Sequence, residues 1–113
     1  MFRGGCMGTY TQVRGWIEVC NEMVEPIGKI IGESVLLSQH RYGLPRERAE
    51  IYNLGWSIPE NRTEDLRYIF YGFSIKTNSV NYIRDQLKEI AQVNIDDVGD
   101  LLYPEGIFYV DDE

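Results

Sequence analysis

Apolar residues recur in this chain with two different periods, and the order of those periods restricts the fold more than any other property. Residues alternate through Thr9–Cys20, follow helical spacing through Pro26–Leu37, then alternate again through Ile51–Ile58 and Arg67–Ile75. Helical spacing returns at Ser79–Val93, and the chain closes on an alternating run at Gly106–Asp111. In the first run Val13, Ile17 and Val19 point one way, while Gln12, Arg14, Trp16 and Glu18 point the other. The second set is polar apart from Trp16, which places Trp16 among polar neighbours on the sheet face that no helix covers.

The resulting order is strand, helix, strand, strand, helix, strand. It predicts an α+β fold: a ferredoxin-like βαββαβ sandwich, with a four-stranded antiparallel sheet and two helices on one face. Pro26 suits the first position of the first helix, where its missing N–H costs nothing. Ile27, Ile30, Ile31 and Leu37 form the stripe of that helix, and Gly28 and Gly32 either allow close packing or make it irregular. The charged connection Gln39–Arg48 is broken by Gly43 and Pro45 and reads as a loop. In the central hairpin Tyr52, Leu54, Trp56 and Ile58 alternate against Ile51, Asn53, Gly55 and Ser57, with Pro59, Asn61 and Asp65 marking the turn. The next strand is apolar or aromatic on both faces, which suits a central position, and Gly55 and Gly72 suggest bulges or close backbone approach. Asn78 or Thr77 is expected to cap the second helix, whose stripe is Val80, Ile83, Leu87, Ile90 and Ala91. A loop through Asp96, Asp97, Gly99 and Asp100 leads to the last strand.

A length of 113 residues fits one domain, read as 9–113 behind a leader at 1–8, and Met7 is a second candidate translation start. No apolar run approaches the roughly 18 residues that span a bilayer, and the N-terminus lacks the apolar core of a secretory signal. A soluble, cytoplasmic protein is therefore expected, with no membrane partner. The net charge of −7 argues against nucleic acid, whose phosphates need clustered Lys and Arg, and favours a basic protein partner. Two cysteines, Cys6 and Cys20, and one histidine make neither a disulfide framework nor a metal site, so no metal and no cofactor are expected.

Three groups of residues are candidates for function. The acidic group is Asp96, Asp97 and Asp100, followed by Glu105 and then Asp111 and Asp112; it lacks the alternating ligands and closing Glu of an EF-hand loop. The aromatic group is Trp16, Trp56, Tyr68, Phe70, Tyr71, Phe73 and Tyr109, and those on an open sheet face become a dimer interface, a ligand shelf or a docking surface. For catalysis the chain offers His40 and a conceivable Glu18 partner, with no spacing that joins them and no nucleophile-elbow context, so a non-enzymatic role is expected. A partner-binding set follows: Arg14, Trp16, Asp96, Asp97, Asp100, Glu105, Asp111 and Asp112.

Several segments also carry a likeness to a family. They are Tyr10-Thr11-Gln12-Val13-Arg14-Gly15-Trp16-Ile17-Glu18, Gly55-Trp56-Ser57-Ile58-Pro59, Tyr68-Ile69-Phe70-Tyr71-Gly72, Arg84-Asp85-Gln86-Leu87 and Gly106-Ile107-Phe108-Tyr109-Val110. With the size and acidity of the chain, they resemble the small immunity proteins of bacterial polymorphic toxin systems, including contact-dependent growth inhibition. The resemblance implies a cytoplasmic, non-catalytic inhibitor that binds a cognate toxin domain, commonly a basic nuclease. The alternative is a dimeric ferredoxin-like domain that binds or transforms a small molecule in a pocket lined by Trp16, Tyr71 and Arg14, with Arg14 facing an anionic ligand.

Overall fold

The first strand runs without a loop into the longest helix, and this junction sets the layout of the molecule. A computed structural model describes residues 10–60 and 66–112. The leader at 1–8, Thr9, and the turn residues Asn61 and Asp65 therefore lie outside the described residues. Strand β1 (Tyr10–Cys20) is followed at once by helix α1 (Asn21–Tyr42). Helix α2 (Arg46–Asn53) and a two-residue strand β2 (Trp56–Ser57) come next, then β3 (Leu66–Lys76), a short 3-10 turn and α3 (Val80–Ala91). A hairpin of β4 (Ile95–Asp97) and β5 (Asp100–Leu102) precedes the last strand, β6 (Glu105–Asp112).

The main sheet has four strands in the order β2-β3-β1-β6, each neighbouring pair antiparallel; β4 and β5 form a separate two-stranded sheet. Among the described residues the protein is thus a mixed α+β structure with a four-stranded antiparallel sheet and three helices, where the pattern predicts two. Alternation in β1 is as expected: Val13, Ile17 and Val19 are buried on the helix side, and Arg14 and Trp16 are exposed.

Several expectations are corrected. The run Ile51–Ile58 is not a strand: its first half belongs to α2, and only Trp56 and Ser57 pair with β3. Pro45 stands before a helix of Arg46, Glu47, Arg48, Ala49 and Glu50, whose buried residues Ala49 and Tyr52 sit three apart. That spacing competes with the weak alternation and prevails, leaving Leu54 75% exposed. The charged connection 39–48 is likewise mostly helical. Helix α1 continues to Tyr42, where Gly43 takes a left-handed conformation (φ 63°) and its N–H donates to the Gln39 carbonyl at 2.9 Å.

Helix α1 also starts five residues before Pro26, which lies inside it. Its buried stripe is Met23, Ile27, Ile31, Val35 and Ser38, and Leu37 is exposed. Added Cβ atoms at Gly28 and Gly32 would meet nothing within 4 Å, so these glycines neither serve close packing nor interrupt the helix. Helix α3 begins after Ser79 with no side-chain cap from Thr77 or Asn78. The acidic loop at 96–100 is a hairpin.

The core is continuous in space but has two centres. One gathers Val35, Leu44, Ala49, Tyr52, Tyr71, Ile75, Tyr82 and Ile83 beneath α2; the other gathers Ile17, Val19, Met23, Ile27, Ile69 and Ile90. Trp56 and Phe108 pack against both centres, and Ile95 and Leu102 fasten the hairpin to the second. Between the helices runs a hydrogen-bonded set with every bond accounted for. Gln86, 1% exposed, accepts from Trp56 Nε1 (2.9 Å) and donates to Asn53 Oδ1 (2.9 Å), which also accepts from the Tyr82 hydroxyl (3.1 Å). Asn53 Nδ2 in turn donates to the Ile31 carbonyl at 3.1 Å. One end of α2 is thereby tied to α1, α3 and β2 at once.

Candidate protein-binding surfaces

Register decides which aromatic side chains are structural and which face outward. In the β1–β3 pairing Ile17 is opposite Ile69 and Gly15 opposite Tyr71, so odd-numbered residues of β3 join the helix side. Trp56, Tyr71 and Phe73 therefore belong to the core, where Trp56 and Tyr71 meet edge to face at 4.9 Å. Burial raises the Tyr71 hydroxyl far above its ordinary pKa, and it donates to the Tyr52 carbonyl at 2.7 Å. Tyr71 cannot share a pocket with Trp16 and Arg14, which stand on the opposite face; that expected ligand site is not assembled.

The open face is built of three-residue rows that run from β3 across β1 to β6. The central row is Phe70, Trp16 and Ile107; on one side lies Tyr68, Glu18 and Glu105, and on the other Gly72, Arg14 and Tyr109. Trp16, Tyr68, Phe70, Ile107 and Tyr109 are all exposed. Trp16 packs edge to face against Tyr68 at 5.8 Å, and the Tyr68 hydroxyl donates to Glu18 Oε1 at 3.1 Å, the carboxylate raising the pKa of the phenol. Arg14 lies 5.8 Å over the Tyr109 ring and reaches Asp111 at 3.4 Å. Beside Arg14 and Gly72 the face has a depression of about 270 Å³.

The predicted partner-binding set is therefore divided. Arg14, Trp16, Glu105 and Asp111 belong to the open face, while Asp96, Asp97 and Asp100 belong to the hairpin beyond the start of β6. Glu105 and Asp111 are six residues apart on one strand, about 20 Å at some 3.3 Å per residue, so the acids do not make one patch. Asp112 pairs in register with Thr11 at the far end.

The hairpin has its own character. Ile95 and Leu102 pair on the side packed against the core, and Asp96 and Leu101 pair on the other. Its two-residue turn is Val98 and Gly99, both at positive φ (51° and 90°), and Asp96 Oδ1 accepts the Gly99 N–H at 3.1 Å. Val98 is 97% exposed at the turn, Leu101 is exposed on β5, and Tyr103 is exposed just after it. Sequence reasoning singled out the acids of this segment and missed these apolar groups; Gly99 is a turn residue, but Val98 before it carries no turn signal.

A third feature is a cleft of about 80 Å³ between α1 and α3, lined by Ile30, Leu37, Arg41, Tyr42, Tyr82 and Asp85. The Tyr42 hydroxyl donates to Asp85 Oδ2. Burial, followed by the bond to Asp85, pushes the Tyr42 pKa up to about 12, so at neutral pH it is a protonated donor joining two helices. His40 lies in the last turn of α1 and Glu18 on the open face, on opposite sides of the sheet, so the conceivable acid–base pair is not brought together. Among the described residues no three His, Cys, Asp or Glu side chains converge as a metal site, and no helix is long and apolar enough to cross a membrane. Known protein families, curated proteins and solved structures offer no match to the chain.

Proposed function

We propose that this chain is a non-catalytic, cytoplasmic inhibitor of the immunity type, which binds and neutralises a basic toxin domain such as a nuclease. The observation that carries the reading is the β4–β5 hairpin, where exposed Val98 and Leu101 share a short turn with the exposed carboxylates Asp96 and Asp100. Apolar anchors ringed by charge are the anatomy of a protein interface, and acidic groups complement a surface built to hold phosphates. The overall charge of −7 would speed the encounter. A β-branched residue at positive φ on a fully exposed tip is a local cost without gain in packing, which supports a role for the tip outside the fold.

For the architecture, the ferredoxin-like reading is retained as part of the proposal. The first and third patterned strands, β1 and β3, lie side by side between β2 and β6, with every pair antiparallel, and this supports a split βαβ arrangement to which α2 and the hairpin are additions.

The test is co-expression with the product of the neighbouring gene, followed by calorimetric titration of the purified pair. Growth should be restored and a complex form at or below micromolar dissociation constant. Asp100→Lys should leave the melting temperature unchanged and weaken binding about tenfold or more. Continued killing with no complex would remove the reading, and full binding by Asp100→Lys would remove the hairpin from the interface.

A further inference from the structure

The rows of the open face are arranged symmetrically about Trp16, and this bears on a partner distinct from any toxin. Arg14 and Glu18 are each two residues from Trp16 on β1, about 7 Å along the strand in opposite directions. The same holds for Gly72 and Tyr68 about Phe70 on β3, and for Tyr109 and Glu105 about Ile107 on β6. Rotation of a second copy by 180° about the Phe70–Trp16–Ile107 row lays the Gly72–Arg14–Tyr109 row over the Tyr68–Glu18–Glu105 row of the other molecule.

Each of the three juxtapositions is complementary. Arg14 meets Glu18 of the second copy. Tyr109 presents a hydroxyl to Glu105 of the second copy. Tyr68 of the second copy faces Gly72, where an added Cβ would find no atom within 4 Å and the face is depressed. The central row then meets its own image, burying Trp16, Phe70 and Ile107 of both molecules at once. We infer that the open face of the main sheet binds the same face of a second copy, forming a two-fold, face-to-face dimer.

Sheets packed in this way lie about 10 Å apart, a separation that arginine, glutamate and tyrosine side chains bridge from opposite sides. A two-fold interface must be self-complementary, because each residue meets a fixed counterpart on an identical surface. Here charge and shape both satisfy that condition in one register. The rows span three strands and about 14 Å along each, a small interface whose dissociation constant belongs in the micromolar range. The hairpin lies outside these rows, so this inference does not depend on the proposed inhibitor role.

The experiment is sedimentation equilibrium of the isolated protein at concentrations around 50 µM, with four variants. The expected mass is twice 13.1 kDa. Gly72→Val fills the depression on a strand with a better strand-forming residue; it should fold as well as the parent and dimerise about tenfold or more weakly. Arg14→Glu and Glu18→Arg should each weaken the dimer to a similar degree, and the double variant Arg14→Glu/Glu18→Arg should recover it. A monomeric parent at that concentration would overturn the inference. So would a dimer indifferent to Gly72→Val and both reversals, or a folded double variant that stays monomeric.

Discussion

Val98 is the residue most at odds with its own backbone. Its φ of 51° in a two-residue hairpin turn is a conformation that suits Asn or Gly and that a β-branched side chain adopts at a cost. At 97% exposure, nothing is gained in packing. Val98→Asn should therefore stabilise the protein by about 1 kcal/mol, seen as a raised denaturant midpoint at unchanged slope. Gln86 shows the opposite case, a buried polar group whose bonds are all made. Gln86→Leu would keep the volume but leave Trp56 Nε1 without its acceptor and Asn53 without one donor, costing about 2 kcal/mol. Trp56→Phe added to that variant removes the orphaned N–H, so the double variant should be less destabilised than the sum of the singles in equilibrium unfolding.

At the scale of elements, β6 can lie against β1 only because two glycines face the pairing. A Cβ at Gly15 would stand 2.1 Å from the Ile107 carbonyl oxygen, and one at Gly106 would stand 2.0 Å from that of Trp16. Gly15→Ala should accordingly separate the two strands and cost about 2 kcal/mol or more, with loss of hydrogen-exchange protection concentrated in β6. The sequence suggests bulges or close backbone approach at Gly55 and Gly72. Gly55 does lie against the Tyr71 ring, whereas Gly72 faces open space. Alternation identifies which residues share a face, but the distance between two backbones depends on a partner strand that no local pattern names.

Across the whole molecule, tyrosine ties the helix layer together, and this gives stability a direction on the alkaline side. Burial pushes Tyr82 up to about 12 and raises Tyr71 further, while Tyr42, beside Asp85, also stands at about 12. In the unfolded chain these phenols ionise near their ordinary value of about 10, so above it the unfolded state has shed protons that the folded state retains. The contribution is complete below pH 10 and falls as pH rises from there, at up to about 1.4 kcal/mol per pH unit for each of the buried pair Tyr71 and Tyr82; that of Tyr82 is gone once pH passes 12, and that of Tyr71 declines beyond it. Chemical denaturation should show stability falling over that interval. Tyr82→Phe should flatten the decline, and an unchanged slope would mean that Tyr82 ionises freely in the folded protein.

Strands β1, β3 and β6 and helix α3 were legible because each carries a long, uninterrupted period that burial on one face enforces. The same alternation placed Trp16 and Arg14 on the uncovered face. Residues 39–58 were misread because two periods compete there over a few residues, and the choice fell to what Ala49 and Tyr52 find to pack against. The acidic cluster at 96–100 was visible as composition, yet its form as a hairpin with an apolar tip depends on Ile95 and Leu102 reaching the core. The sequence by itself determined the faces of the long elements, since side-chain direction follows from backbone geometry alone. Only the tertiary structure decided which faces meet, because register aligns residues far apart in the chain: that alignment split the aromatic residues between core and surface and set Arg14, Trp16 and Glu18 in symmetric rows.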